Sequence, residues 1–571
     1  MSNLIFVGWR DTGGAVSEET LRQVADRITP PGLPDPAHLV ATGRQEALCL
    51  TGPAAAAVAL GTSAHLGTFA GSWKDWHVPG TAVPDGTFAL IRSGASEIEA
   101  CSDFAGSRTL WYVLTESRFL VSTSQRALVC LLEGLEFNRT ALAWFLSSGS
   151  LGPSDAWDRR LHRLPANARL TLDRARWALR VRAEPVSFHP EPGDEASIRE
   201  ELLGILRASV QRFDFTSAPW ALPLSGGYDC RFILGMLAET GFRPPTMTWG
   251  LAASLEESGN DANIARRLAA HYGLPHDYRL TEPMDAPPEE VADRFLAASG
   301  GTTDQLFPYL DGLGMWASFA ARGIAGVIRG DEGFGWIPVK TAAHARSSVG
   351  LVLLEDFLDR NEAEAISDGR QHLPEASHHQ TDETIPAYRD RLYHAFRIPV
   401  GLAALNDVKA PFVEIASPLL VREVLGFVRR MPDDLRTDKL AFRQIAKGQS
   451  PPLPYATMGA DDDRSEYLFS KPYQRWFREE LDSSTVADLL PDAWGARLRA
   501  GLGRTPQAPW SSRSVRATLK RIIPTAWVRA LRAEIGPEEP GRGLLTLRTA
   551  LASRMVRLLE ADGRTLSEPS R

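Results

Sequence analysis

The stretch Leu224-Ser225-Gly226-Gly227-Tyr228-Asp229-Cys230-Arg231 sets a serine and two glycines just ahead of an aspartate. Trp220 to Leu224 before it reads as a short buried strand, and Cys230 to Thr240 after it as a helix. Small residues at such a turn let the backbone fold tightly and aim successive N–H groups at one anion. The following helix adds its positive N-terminal end. Asp229 then stands where a carboxylate can hold a Mg²⁺ that bridges phosphate oxygens. The pattern is not GxxxxGK[ST], so the loop is of another kind than a Walker A loop. A bare Ser-Gly-Gly is an ordinary turn; the strand, the helix and the placed aspartate together favour an anion cradle. Gly330-Asp331-Glu332 follows another apolar run, Ala325 to Ile328. Alone it reads as a strand-end turn with solvated carboxylates.

The elements around these loops predict two large units. The chain has 571 residues, too many for one ordinary domain. Residues 1–185 read as β-rich: Phe88–Arg92, Ile98–Cys101, Leu110–Leu114 and Phe119–Thr123 are short extended runs with Gly and Pro-Asp-Gly turns between them. Helical spacing runs from Thr140 to Leu146, and Leu170–Leu172 and Leu179–Ala183 close the region as strands. Pro185 to Asp194 reads as a linker. From Glu195 to about 480, strands and helices alternate. Thr246–Trp249 is a strand and Asn260–Tyr272 a helix, the signature of a parallel sheet with crossover helices, and residues 350–445 are mainly helical. The fold class is therefore α/β. Residues 481–571 form a third region that gathers Arg497, Arg499, Arg504, Arg513, Arg516, Lys520, Arg521, Arg529 and Arg532. It reads as amphipathic surface helices with solvated basic faces, with docking to an acidic partner or a membrane as the alternative.

Composition narrows the function classes. Apolar residues make up 44% and charged residues 23%, with a formal charge of −7, so nothing global points to nucleic acid. Cys49, Cys101, Cys130 and Cys230 have neither metal-ligand nor CxxC spacing, which suits a reducing cytoplasm. The N-terminal MSNLIFVGWR is not a signal peptide, and no apolar run approaches the roughly 20 residues of a membrane span.

The loop at Ser225 resembles the SGGxDS pyrophosphatase loop of the N-type ATP pyrophosphatases, with Cys230 where serine is usual. Further stretches resemble the asparagine synthetase family in the same order: Asp103-Phe-Ala-Gly-Ser-Arg-Thr-Leu-Trp-Tyr112, Asn260 to His276, Gly330-Asp-Glu-Gly-Phe-Gly335, Lys409-Ala-Pro-Phe-Val-Glu414 and Asp438-Lys-Leu-Ala-Phe-Arg443. The resemblance runs from about residue 80 to 470. It implies an N-terminal Ntn-hydrolase-like (αββα) domain of the glutaminase type over 1–185 and an ATP-pyrophosphatase (PP-loop) synthetase domain over 195–480. It also implies that ATP and Mg²⁺ are the cofactors. Ser225, Gly226 and Gly227 would hold the pyrophosphate, with Leu224, Tyr228 and Asp229 also at the nucleotide, while Trp249, Gly250, Arg329 and Gly330 would frame adenine and ribose. Asp331 and Glu332 would complete the site, with Asp229 and Asp331 sharing the metal.

Three departures from the family shape the expected reaction. Residue 2 is serine where the family's glutaminases carry the nucleophilic cysteine, so the N-terminal domain is expected to be an inactive scaffold. The tyrosine that β-lactam synthetases carry before the second aspartate is missing, and Asp407 stands where the family has glutamate, leaving it a weak candidate for the base that deprotonates an amine. Glu466 falls on the family's phosphate-steadying lysine, so Lys471, Lys439 or Lys447 would have to serve. The expected enzyme is an AMP-forming ligase that adenylates a carboxylate and passes it to an amine. Its nearest relatives in style are the lasso-peptide cyclases, with a peptide Asp or Glu side chain as carboxylate and a precursor peptide and leader protease as partners. The alternatives are ammonia-dependent amidation of a small acid, a non-catalytic relative, and a tRNA-modifying enzyme.

Overall fold

The computed structural model describes residues 3–33, 38–52, 57–461, 464–502 and 540–567. Ser2 and the basic residues from Arg504 to Arg532 lie outside these. The first half holds β1 Asn3–Trp9, β2 His38–Thr42, β3 Glu46–Thr51, β4 Ala57–Leu60, β5 Ser63–Phe69, β6 Gly86–Ser93, β7 Glu97–Ser102, β8 Trp111–Leu114, β9 Arg118–Ser122, β10 His162–Arg163, β11 Ala168–Asp173 and β12 Ala178–Ala183. They make two six-stranded antiparallel sheets, ordered β10-β8-β9-β1-β3-β2 and β12-β11-β7-β6-β5-β4. The sheets lie face to face. Leu4, Phe6, Leu48, Leu50, Phe119 and Val121 of the first meet Ala64, Leu66, Ala89, Ile91, Ile98, Ala100, Leu170 and Leu172 of the second in one apolar layer.

The alternate residues of β1, Ile5 and Val7, turn the other way and pack on Leu21, Val24, Ala25 and Ile28 of α1, Glu18–Ile28. The strand is therefore buried on both faces and shows no apolar–polar alternation. Two further helices complete that half, α2 Gln125–Leu131 and α3 Arg139–Ser148. The outer face of the second sheet carries Phe88, Leu90 and Cys101, covered by Phe69, Trp76 and Val83.

Helix α4, Glu195–Gln211, opens the second half after the 185–194 segment, with Asp194 accepting from the Ser197 N–H as its N-cap. Then come β13 Trp220–Pro223, α5 Asp229–Glu239, β14 Thr246–Gly250, α6 Asp261–His271, β15 His276–Leu280, α7 Pro288–Ser299, α8 Gly314–Ala321, β16 Gly326–Ile328 and β17 Glu414–Ala416. All pairings among these strands are parallel, in the order β15-β14-β13-β16-β17. From β13 the chain proceeds to β14 and β15 on one side, then returns to add β16 and β17 on the other. The strand order thus reverses between β13 and β16, and in open parallel sheets ligands bind in the crevice at the carboxyl ends of such a pair. The fold is mixed α/β: two antiparallel sheets plus a parallel five-stranded sheet with helices.

The halves are stitched together by buried polar contacts. Thr87 accepts from the Ser417 N–H at 3.1 Å, Asp85 from the Arg422 N–H at 3.0 Å, and Arg108 pairs with Glu414. The helix Arg542–Gly563 crosses both, packing on α2, α3 and α7. Its Asp562 accepts from Arg126, and its Arg548 donates to Asp304 at 2.7 Å. Of the C-terminal basic residues, Arg497 pairs with Glu362 and Arg499 with Asp482. Among the described residues no helix is long and apolar enough to cross a membrane.

Candidate functional site

The carboxyl ends of β13 and β16 bring the two acidic turns into contact. A Cβ built on Gly330 would stand 2.8 Å from the Cβ of Asp229, nearer than real Cβ atoms come. Glycine at 330 is therefore what allows Asp229, Asp331 and Glu332 to gather in one crevice. Lys439 sits among them, with Nζ 3.4 Å from Asp229 Oδ2 and 2.6 Å from Glu332 Oε1. Asp331 is held by Arg329 at 3.2 Å, Asn406 at 3.2 Å and Ser417 at 3.4 Å.

Lys439 reaches this position at some cost to its backbone. Asp438 and Lys439 both have positive φ, 56° and 57°. Non-glycine residues rarely adopt this region, and local strain of this kind clusters at functional sites. The surroundings enforce it: the Asp438 N–H donates to the Trp336 carbonyl, and Phe334 stacks on Phe442 one turn beyond Lys439. His394 accounts for the remaining support, with Nε2 2.7 Å from the Gly333 carbonyl oxygen and Nδ1 accepting from Arg429 Nε at 3.3 Å.

The electrostatics divide the three acids. Burial pushes the Asp229 and Glu332 carboxyls up; Lys439 pulls the other way, and their neighbouring carboxylates add to the rise. Burial also acts on Asp331, but Arg329 and Lys409 outweigh it and hold its carboxyl below the usual range. Asp229 Oδ1 is shielded from solvent and has no hydrogen-bond partner among the described residues, and the same holds for Arg329 Nε. Buried polar atoms are almost always paired, and these two, like a few elsewhere in the chain, are open to a further partner.

The Ser225 loop is braced from several sides. Leu224 O accepts from Thr248 Oγ1 at 2.5 Å. Tyr228 stacks on Tyr455 with ring centres 4.1 Å apart, and Arg231 lies over Tyr455 and donates to the Leu453 and Pro454 carbonyls. Helix α5 begins at Asp229 without a side-chain cap, as α7 and α8 also begin, whereas α1, α3, α4 and α6 are capped by Ser17, Asn138, Asp194 and Asn260. No side chain caps its first-turn N–H groups, which face the crevice end of the helix. The loop amides themselves differ from the expectation that they all point at one external anion. The Gly226 N–H donates to Asp261 Oδ1 at 2.9 Å and the Gly227 N–H to Ser225 Oγ at 3.2 Å. The reason lies in the packing: α6 starts beside the loop, so its first carboxylate reaches the Gly226 amide.

Trp249 and Gly250 end β14 next to this loop. A Cβ on Gly250 would lie 2.2 Å from the Ala460 carbonyl oxygen, so only glycine lets the 453–461 segment cross here. Trp249 meets Trp316 edge-on at 5.4 Å.

Other expected residues stand elsewhere. Asp407 accepts from Thr109 Oγ1 of the first half at 2.7 Å and lines a small cavity with Arg108, Gln125 and Arg126, so its contacts tie the two halves together. Lys471 opens the helix Lys471–Leu481 as an exposed residue, and among the described residues it makes no hydrogen bond or ion pair to the acidic turns. Lys447 and Glu466 are exposed as well. Sequence reasoning missed Asn406, Lys409, Ser417, Arg231 and Tyr455. Lys409 alone carried a signal: it is a lysine flanked by Val408 and Ala410, a composition that fits burial.

Asp229 and Asp331 suit Mg²⁺. Among the described residues no group of three or more His, Cys, Asp or Glu could hold a metal unaided. Mg²⁺ bound by one or two carboxylates plus substrate phosphates needs no such group. Neither a protein-family model nor a curated protein sequence matches the chain.

Proposed function

We propose that the protein is an ATP-dependent ligase that activates a carboxylate as its adenylate, releasing pyrophosphate, and joins it to an amine. The reading rests on one observation above all: Asp229, Asp331, Glu332 and Lys439 converge at the strand reversal with Asp229 Oδ1 left unpartnered. Asp229 and Asp331 would hold Mg²⁺, which supplies charge neutralisation on the phosphates. The uncapped start of α5 would take the pyrophosphate end of ATP. A substrate carboxylate oxygen bonds to the α-phosphorus while the bond to the β-bridging oxygen breaks and pyrophosphate departs. The amine nitrogen then bonds to the acyl carbon, AMP leaves and the amine gives up a proton. The protein's share is to position the reactants and neutralise charge, which dominates phosphoryl-type transfer.

The departures from the asparagine synthetase family, Ser2 in place of the cysteine, no tyrosine before Asp331 and the long basic C-terminal region, favour a peptide side-chain carboxylate as the acid and the peptide's own amine as the nucleophile, giving a macrolactam. Amidation of a small acid by free ammonia is the second reading. Amine-independent exchange of labelled pyrophosphate into ATP, run over a panel of carboxylates and acidic peptides, tests the adenylation step. One acid should support exchange, and Asp229→Ala should lower that rate by about a thousandfold or more. Exchange at an undiminished rate in Asp229→Ala would remove the crevice from the reaction.

A further inference from the structure

Lys409 is a buried lysine, its amine lowered to about 7 by burial, with no counter-ion in contact among the described residues. Its residue is 5% exposed, and its Nζ lies 5.9 Å from the Trp316 ring centre. Its side chain makes no hydrogen bond or ion pair among the described residues. It ends the helix Ala403–Lys409. Asn406, three positions earlier and so on the same helix face, donates to Asp331. Lys409 thus faces the Asp331 corner of the crevice, where Arg329 repels it while Asp331 and, more weakly, Asp407 attract it. Arg329 and Lys409 both stand near Asp331, and Arg329 Nε has no partner among the described residues. Lys439 offers a contrast, since two carboxylates already engage it. A buried charge left unpaired destabilises a fold, and such groups persist where a ligand of opposite charge completes them.

Resting on the ligase reading above, we propose that Lys409, together with Arg329, contacts the α-phosphate of the nucleotide and takes the part of the lysine whose expected place holds Glu466. On that reading adenine and ribose lie at Trp249 and the pyrophosphate at the start of α5, so Lys409, near Asp331 and over Trp316, which packs on Trp249, falls to the α-phosphate rather than the pyrophosphate. The contact is a charge-assisted hydrogen bond from Nζ to a non-bridging oxygen.

Calorimetric titration of the full chain with Mg-ATP, AMP and magnesium pyrophosphate tests this, using wild type, Lys409→Met and Lys409→Arg, with thermal unfolding of each free protein. Lys409→Met should bind Mg-ATP and AMP about tenfold or more weakly, and Lys409→Arg should stay within about threefold of wild type. Pyrophosphate affinity should hold in both variants. The free Lys409→Met protein should unfold at an equal or higher temperature, because the substitution removes an unpaired buried charge. A purely structural lysine would show the opposite pattern, a lower unfolding temperature with unchanged affinities. The proposal is overturned if Lys409→Met binds Mg-ATP and AMP as wild type does, if pyrophosphate affinity falls in step with theirs, or if the variant loses binding only along with its fold. Should wild type bind none of the three, the nucleotide reading itself falls and Lys409 with it, an outcome distinct from a wild type that binds and a variant that binds equally.

Discussion

Two aspartates, one enclosed in the first half and one half-buried in the second, show how differently a carboxylate can be used. Asp103 in the first half is fully enclosed and saturated. One oxygen accepts from the Ala105 and Ser107 N–H groups, the other from the Phe88 N–H and the Ser107 hydroxyl. Asp229 in the parallel-sheet crevice has one oxygen near Lys439 and the other with no hydrogen-bond partner among the described residues. Burial is the leading influence on both and pushes both carboxyls up, Asp103 to about 6. What separates them is completeness. A saturated buried carboxylate organises a loop, and an incomplete one is poised for a ligand.

The largest expected effect comes from forcing the two apart. Asp103→Ala strands four buried donors and should cost about 3–4 kcal/mol in urea-unfolding free energy. Asp229→Asn should change stability by no more than about 1 kcal/mol, since its ion pair is partly exposed. It should nevertheless abolish Mg-ATP binding. Equal stability losses in the two variants would erase the distinction drawn between the sites.

A smaller effect probes the support beneath the crevice. Burial, reinforced by Arg429 and Arg436, lowers His394 to about 3, well under the ordinary value of about 6.5. Between those pH values the unfolded chain binds a proton that the folded chain refuses. The stability contributed by the neutral ring is therefore full above pH ~6.5 and drains away as the pH falls towards 3. At pH 5 the loss is about 2 kcal/mol. His65, lowered to about 4 by burial in the other half, adds a loss of the same sign. The stability gap between wild type and His394→Gln should thus shrink by about 2 kcal/mol from pH 7 to pH 5. A constant gap across that range would mean that His394 titrates alike in both states.

The smallest effect concerns the lysine that proximity in sequence favours. Lys471 is exposed at a helix start, so Lys471→Ala should alter unfolding by less than about 0.5 kcal/mol. It should leave Mg-ATP affinity where it was. A clear drop in that affinity would bring Lys471 back beside the phosphates.

Much of the second half was legible because its signals are local. The apolar run before Ser225, the small residues of the turn and the helix after Asp229 lie within twenty residues, and β13, α5, β14 and α6 fall close to where periodicity sets them. Some strands carried no such signal. β1 is buried on both faces and so does not alternate, and β17 is only Glu414–Ala416, too short for a pattern. The helix Arg542–Gly563 looked basic and surface-bound as part of its region, yet Arg548 and Asp562 are buried in ion pairs with residues hundreds of positions away.

By itself, then, the sequence determined a mixed α/β chain and the two acidic turns, because glycine spacing and strand–helix succession act over a few residues. Only the tertiary structure decided which cations serve those acids. Asp229 and Lys439 are 210 positions apart, and Asn406, on the helix that also carries Lys409, reaches Asp331 from 75 positions away. A lysine's meaning is set by what surrounds its ammonium, and those surroundings are assembled by packing between distant segments.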